Sequence, residues 1–358
     1  MARRVFLHIG TPKSGTTYLQ EKLALNREVI AQHGLTYPNT RTGNHFEAAL
    51  DLIEERWAGQ REVARGQWST LVNESRRAPG DVVISHEIMA AATSPQVAAA
   101  MAAFADDEVH VVLTARDLAR QIPAEWQENV KHRGRRPFAK FMTRVVQGRR
   151  TNPDLWFWRV QGVPDVLTRW GNGLPPDRIH VVTVPQPEAP RELLWQRFAQ
   201  VVGLQPGLDL AEATDYNPSL GIVEASVVRR LNKQLAGKGI PREVYVDLVR
   251  EVVARDTLAH RPDQIRAVLP ERRWGFVEEV TGEWLEWLEG AGVDIVGDLA
   301  DLRPRRPDFA DGSWVHPDDP PADLVADAAI EALAAVIEDI APTHKSPVRR
   351  LARRFLRG

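Results

Sequence analysis

The chain alternates short apolar runs with longer stretches of helical spacing. Arg4 to Ile9 is β-branched and aromatic, and Gly10 ends it, so it reads as a short buried strand. From Thr17 to His33, Leu19, Leu23, Val29 and Ile30 recur at helical intervals. Gly34 to Pro38 reads as a second short strand with a proline stop, and the polar stretch Asn39 to Asn44 as a loop. Helical patterns follow over 45–57 and 60–78, then a strand over Asp81–Ser85 and a helix over 95–105. Glu108–Ala115 reads as a strand, Asp117 to Val130 as a helix, Arg178–Val184 as the last clear strand, and 190–202 as the helix after it.

Strands this short and this apolar are buried on both faces. Their alternation with helices implies right-handed crossovers and an α/β fold, a central parallel β-sheet flanked by helices. Beyond 205 the pattern is helical, over 221–236, 241–256, 273–289 and 322–340. Proline-rich stretches at 303–307 and 317–321 read as loops, and no internal repeat is found. The expected organisation is one domain over 1–300, with a helical extension and basic tail over 301–358. Within the domain, the ligand-binding half is expected over 1–130 and 178–205.

Composition narrows the chemistry. The 358 residues are 43% hydrophobic and 26% charged with a net charge of -2, which gives no global bias toward nucleic acid or membranes. The chain has no cysteine, which excludes disulfides, thiolate nucleophiles and cysteine-bound metal. The N-terminal apolar stretch is too short for a secretory signal, and no run has the length of a membrane helix, so a cytoplasmic protein is expected.

The segment from Val5 to Leu19 is a strand, a glycine-bracketed loop and a helix start. Free N–H groups at a helix N-terminus suit a phosphate. Gly10 and Gly15 allow close backbone approach, Lys13 adds a positive charge, and Ser14, Thr16 and Thr17 add hydroxyls. Gly10 and Gly15 have the spacing of a nucleoside-triphosphate loop, but Thr16 stands where that loop requires lysine.

Pro12-Lys13-Ser14-Gly15-Thr16-Thr17-Tyr18 instead resembles the 5'-phosphosulfate loop of the sulfotransferases that use 3'-phosphoadenosine 5'-phosphosulfate, including bacterial members. That loop is commonly PKSGTTW. The resemblance implies a P-loop-like sulfotransferase fold, with the nucleotide held by Pro12, Lys13, Ser14, Gly15, Thr16, Thr17, Tyr18 and Arg116. Tyr18 takes the place of the family's adenine-stacking tryptophan. Arg116 takes that of the arginine on the 3'-phosphate. The family's serine eight residues on is Ala124 here, for which Arg120, Gln121, Gln127 or Lys131 would have to substitute. The family's C-terminal Arg-Lys-Gly clamp has no clear counterpart, Arg272 and Arg273 being basic residues in a plausible region.

The implied reaction is in-line displacement at sulfur, with Lys13 neutralising the leaving oxygen. The acceptor is a hydroxyl or amine of a small molecule, lipid or carbohydrate, and it needs a base. Strand Asp81–Ser85 runs into His86 and Glu87, and the family uses a histidine or a glutamate in this region. Glu87 is favoured, with His86 and His45 as the alternatives. No metal is expected. Competing readings are a small-molecule kinase, with Asp117 as the nearest magnesium ligand, and a non-catalytic nucleotide-binding homologue. Trp126, Trp156, Trp158 and Trp170 read mainly as core, and Asn217 or Ser219 as a helix cap. The tail Lys345 to Arg357 places Val348, Leu351 and Phe355 at helical spacing among arginines, a pattern of a solvated or partner-docking helix that also suits peripheral membrane contact. Nucleic acid is not an expected partner.

Overall fold

The computed structural model describes residues 2–54, 64–152, 154–213 and 219–345. Asn217 and the tail beyond 345 therefore lie outside the described residues. The chain forms two compact units, one of Met1–Ile122, Arg144–Tyr216 and Glu271–Pro307, the other of Pro123–Thr143, Asn217–Pro270 and Asp308–Gly358.

The first unit is built on six strands: β1 (Arg4–His8), β2 (Leu35–Thr36), β3 (Asp81–Ser85), β4 (Glu108–Ala115), β5 (Ile179–Thr183) and β6 (Asp294–Val296). They run parallel in the order β2-β3-β1-β4-β5-β6, with helices between them. The expected α/β class is what the chain adopts. β1 is central and sealed on both faces, with Val5, Phe6, Leu7 and His8 all at most 1% exposed. Each such aliphatic or aromatic side chain contributes about 1.5–3 kcal/mol by leaving water. Two ion pairs fix its register at the start. Arg4 reaches Asp81 on β3 at 2.5 Å, and Arg3 reaches Asp107 beside β4 at 2.6 Å. His8 then pairs with Ser85 on β3 and with Val112 on β4, which carries the ends of three strands to one place.

One sequence expectation is corrected, and the structure adds elements that the sequence reading did not assign. The helix expected over 17–33 is two helices, Thr16–Leu25 and Arg27–Gln32. The break is at Asn26, whose amide donates to the Lys22 and Ala211 carbonyls and accepts from the Ala211 N–H. An asparagine that bonds backbone in this way competes with the helix itself. Beyond β5, the last clear strand of the sequence, Asp294–Val296 adds β6, too short to give a periodic signal. The stretch between β4 and β5 also contains helices at Phe138–Thr151, Trp156–Gln161 and Val163–Trp170 that the apolar spacing did not reveal.

The second unit is helical. Ile222–Leu235 is buried nearly all round, and a π-helical stretch, Tyr245–Thr257, and the helix Ala322–Lys345 pack with it. Asn232 donates to the Val130 and Gly134 carbonyls and accepts from the Tyr245 hydroxyl. Trp126, Trp158 and Trp170 are 0%, 4% and 0% exposed, each in the core of its own unit. Among the described residues no helix is long and apolar enough to cross a membrane.

Candidate functional site

The glycine-bracketed loop lies at the carboxyl end of β1, where open parallel sheets receive ligands. It is tied to β4 by hydrogen bonds from the Ile9 N–H to the Val112 carbonyl and from the Thr11 N–H to the Thr114 carbonyl, each 2.9 Å. Gly10, Lys13 and Gly15 all have positive φ, at 41°, 68° and 83°. For the two glycines this is unstrained, but for Lys13 it is a left-handed conformation that side chains avoid. Its carbonyl accepts from the Arg116 guanidinium at 3.1 Å, so Arg116 supports the loop backbone.

Gly15 caps the helix Thr16–Leu25 without a side-chain hydrogen bond, and no acidic residue stands in the first turn. The first N–H groups of that helix therefore meet no capping acceptor from their own segment, which is the arrangement that receives an anion. The Ser14 hydroxyl points inward instead. It donates to the Thr11 carbonyl at 2.6 Å and lies 2.6 Å from Thr114 Oγ1. Ser14 thus offers the loop its backbone rather than its hydroxyl, while Thr17 is exposed.

Beneath the loop the hydrogen bonds define one direction. Ser14 has spent its only hydrogen on Thr11, so Thr114 must donate to Ser14. His8 Nε2, 3.3 Å from Thr114 Oγ1, must then carry the hydrogen between them, and His8 Nδ1 accepts from Ser85 Oγ at 2.7 Å. The run Ser85–His8–Thr114–Ser14–Thr11 requires a neutral imidazole. Burial, the largest influence, pushes the His8 pKa down to about 3, the Glu87 charge opposing it and His86 adding to it. A second support comes from two amides. Gln121 Nε2 lies 2.8 Å from the Pro12 carbonyl, 3.1 Å from Thr11 Oγ1 and 2.9 Å from Gln161 Oε1, and Gln161 Nε2 donates to the same Pro12 carbonyl at 2.8 Å.

At the end of β3, His86 Nδ1 accepts from the Ile88 N–H at 3.3 Å and so caps the short helix Glu87–Ala91. Glu87 turns toward the loop. Gln20 donates to its Oε2 at 3.0 Å, and His86 Nδ1 stands 3.7 Å from the same atom. Burial pushes the Glu87 carboxyl up, but His86, its own backbone N–H, Gln20 and Lys13 together outweigh that and hold it below its ordinary value. Glu87 is therefore an ionised carboxylate, 22% exposed, within the field of Lys13.

His45 is placed differently. Its Nε2 donates to the Pro38 carbonyl at 2.9 Å and its Nδ1 accepts from the Ser85 N–H at 3.1 Å. Both nitrogens are engaged with backbone, and burial first, then neighbouring His86 and Arg27 charges, lower its pKa to about 3 against the Pro38 bond. Its geometry is that of a strut between the Pro38 loop and β3.

Tyr18 is buried, and the Arg191 guanidinium lies over its ring, 4.4 Å from the centroid. Among the residues that would compensate for Ala124, Arg120 binds Asp117 and the Pro185 carbonyl, and Gln127 binds the Leu220 carbonyl. Both Asp117 oxygens are engaged by Arg120. Lys131 is buried, while Arg272 is exposed and Arg273 partly so.

The apolar strand pattern conceals His8, and the amides of Gln20, Gln121 and Gln161 carry no positional signal. A polar residue inside the run Val5–Ile9, directly before a phosphate-type loop, was the one available cue for His8.

No family model matches the chain, and no curated protein matches it. A solved structure of a sulfotransferase from Alicyclobacillus acidocaldarius aligns with a TM-score of 0.42 and 13% identity, over 68% of this chain and 99% of that one. A likeness of that degree decides nothing about activity.

Proposed function

We propose that this protein is a sulfotransferase that moves the sulfuryl group of 3'-phosphoadenosine 5'-phosphosulfate to a hydroxyl or amine acceptor. The observation that supports this most is the pairing of the Pro12–Tyr18 loop, with its left-handed Lys13, and an ionised Glu87 held toward that loop by Gln20. An acceptor oxygen attacks sulfur while its proton passes to Glu87, and the bond from sulfur to the bridging phosphate oxygen breaks. The products are a sulfate ester, or a sulfamate from an amine, and 3'-phosphoadenosine 5'-phosphate. Lys13 and the helix N-terminus stabilise the charge that builds on the departing phosphate. Glu87 suits the base better than His45, whose nitrogens are both occupied, or His86, whose Nδ1 caps a helix. The kinase reading loses support because Asp117 is committed to Arg120.

The test is calorimetric binding of 3'-phosphoadenosine 5'-phosphate beside ADP and ATP with magnesium, for wild type and Lys13→Ala. Preference for the 3'-phosphorylated nucleotide, weakened in Lys13→Ala, is expected. Preference for ATP with magnesium, or no nucleotide binding, would sink the proposal.

A further inference from the structure

The helical unit holds a charged residue for which the donor site has no use. Arg229, on the helix Ile222–Leu235, is 6% exposed, and its Nε is sealed from solvent with no hydrogen-bond partner. Among the described residues no ion pair or hydrogen bond reaches it. Three residues earlier, about 60° round the helix, Ser226 is 1% exposed and its hydroxyl likewise has no partner. A buried helical serine ordinarily returns its hydrogen to the carbonyl four residues back. Here the Ser226 hydroxyl and the Arg229 Nε lie on one helical face, each without a hydrogen-bond partner.

The neighbouring groups do not supply the missing charge. Glu224 is five residues before Arg229 and so about 140° away round the helix. Its Oε1 accepts from Arg261 at 2.8 Å, and its Oε2 is buried with no hydrogen-bond partner. Arg261 in turn reaches Glu331 at 2.8 Å, so the acidic groups here are drawn to another arginine. Two anchors bracket the Ser226–Arg229 face and keep it in place. The Leu220 carbonyl accepts from Gln127, and Asn232 is tied to Val130, Gly134 and Tyr245. A buried guanidinium without a counter-ion is unfavourable unless an anion completes it. Arginine's planar fork and an adjacent hydroxyl are the donor set that suits a sulfate or phosphate oxygen pair.

We propose that Arg229 and Ser226, on one helix of the helical unit, form an oxyanion site that takes a sulfate or phosphate group. The site needs nothing from the donor reading, and either can fail alone.

Inorganic sulfate is the probe, titrated at constant ionic strength against wild type, Lys13→Ala, Arg229→Met and the double variant, with thermal stability and calorimetry as readouts. Lys13→Ala should retain saturable sulfate stabilisation, and adding Arg229→Met should weaken it at least tenfold. Ser226→Ala should weaken it several-fold with the fold intact. Methyl sulfate, run in parallel, separates a free ion from an esterified group: equal binding assigns an ester, binding of the inorganic ion alone a free anion. The proposal is overturned if Lys13→Ala and the double variant respond alike to sulfate. Should Arg229→Met not fold, Ser226→Ala and Arg229→Lys decide, and unchanged sulfate affinity in both rejects the site.

Discussion

Gln20 donates to Oε2 of Glu87 at 3.0 Å, which joins the first helix after the loop to the residue that leaves β3. If Glu87 takes the acceptor's proton, Glu87→Gln should lower kcat by about 10²–10⁴-fold. On that reading the carboxylate serves the acceptor and not the nucleotide, so binding of 3'-phosphoadenosine 5'-phosphate should persist. Gln20→Leu removes a contact that lowers the Glu87 pKa, so that pKa rises. The acid limb of kcat/KM then moves to higher pH, and a pH-rate profile of both proteins reads this directly.

His8 links proton state to stability. Its ordinary value is 6.5 and its folded value about 3. Below 6.5 the unfolded chain takes up a proton that the folded chain refuses, so stability is full above that pH and falls as the pH drops toward 3. His8→Asn cannot titrate and should shed about one proton from the slope of unfolding free energy against pH. Urea denaturation across this window measures the slope. An unchanged slope would show that His8 is not held neutral.

Gly15 has φ of 83°, and a Cβ there would stand 2.5 Å from Leu194 Cδ2. Gly15→Ala should therefore cost more than about 1 kcal/mol by backbone strain alone. It should also displace the first N–H groups of the helix and weaken nucleotide binding beyond the loss of stability. Chemical denaturation and calorimetry on the same variant separate the two effects.

Gln121 and Gln161 share the Pro12 carbonyl, so their deletions should not add. A double-mutant cycle with alanine at both positions should give a coupling of about 0.5–3 kcal/mol in nucleotide binding. Saturated turnover should change little, because both amides act on the Pro12 carbonyl.

The strands β1, β3, β4 and β5 were legible because each is apolar on both faces and ends at a polar or glycine signal. The loop was legible because its lysine, glycines and threonines stand in an uncommon order. Of three candidate bases the sequence favoured Glu87 only narrowly, because the choice depends on which nitrogen atoms are free. His45 and His86 look equivalent along the chain, yet one spans two backbone groups and the other caps a helix. The inward turn of Ser14 is equally invisible, since it depends on Thr114, a hundred residues away. Arg229 passed unnoticed for the same reason. A lone arginine in a helical pattern reads as solvated until burial shows otherwise.

The central place of β1 also sets an order in time. Its flanking ion pairs bridge 77 residues to Asp81 and 104 to Asp107. During synthesis the strand that organises the sheet therefore leaves the ribosome without either neighbour and waits for both. At about 5–20 residues per second that interval is several seconds. Throughout it an apolar strand with unpaired edges is exposed to other chains. Production of this protein is thus expected to depend on chaperone capacity and growth temperature more than its finished stability would suggest.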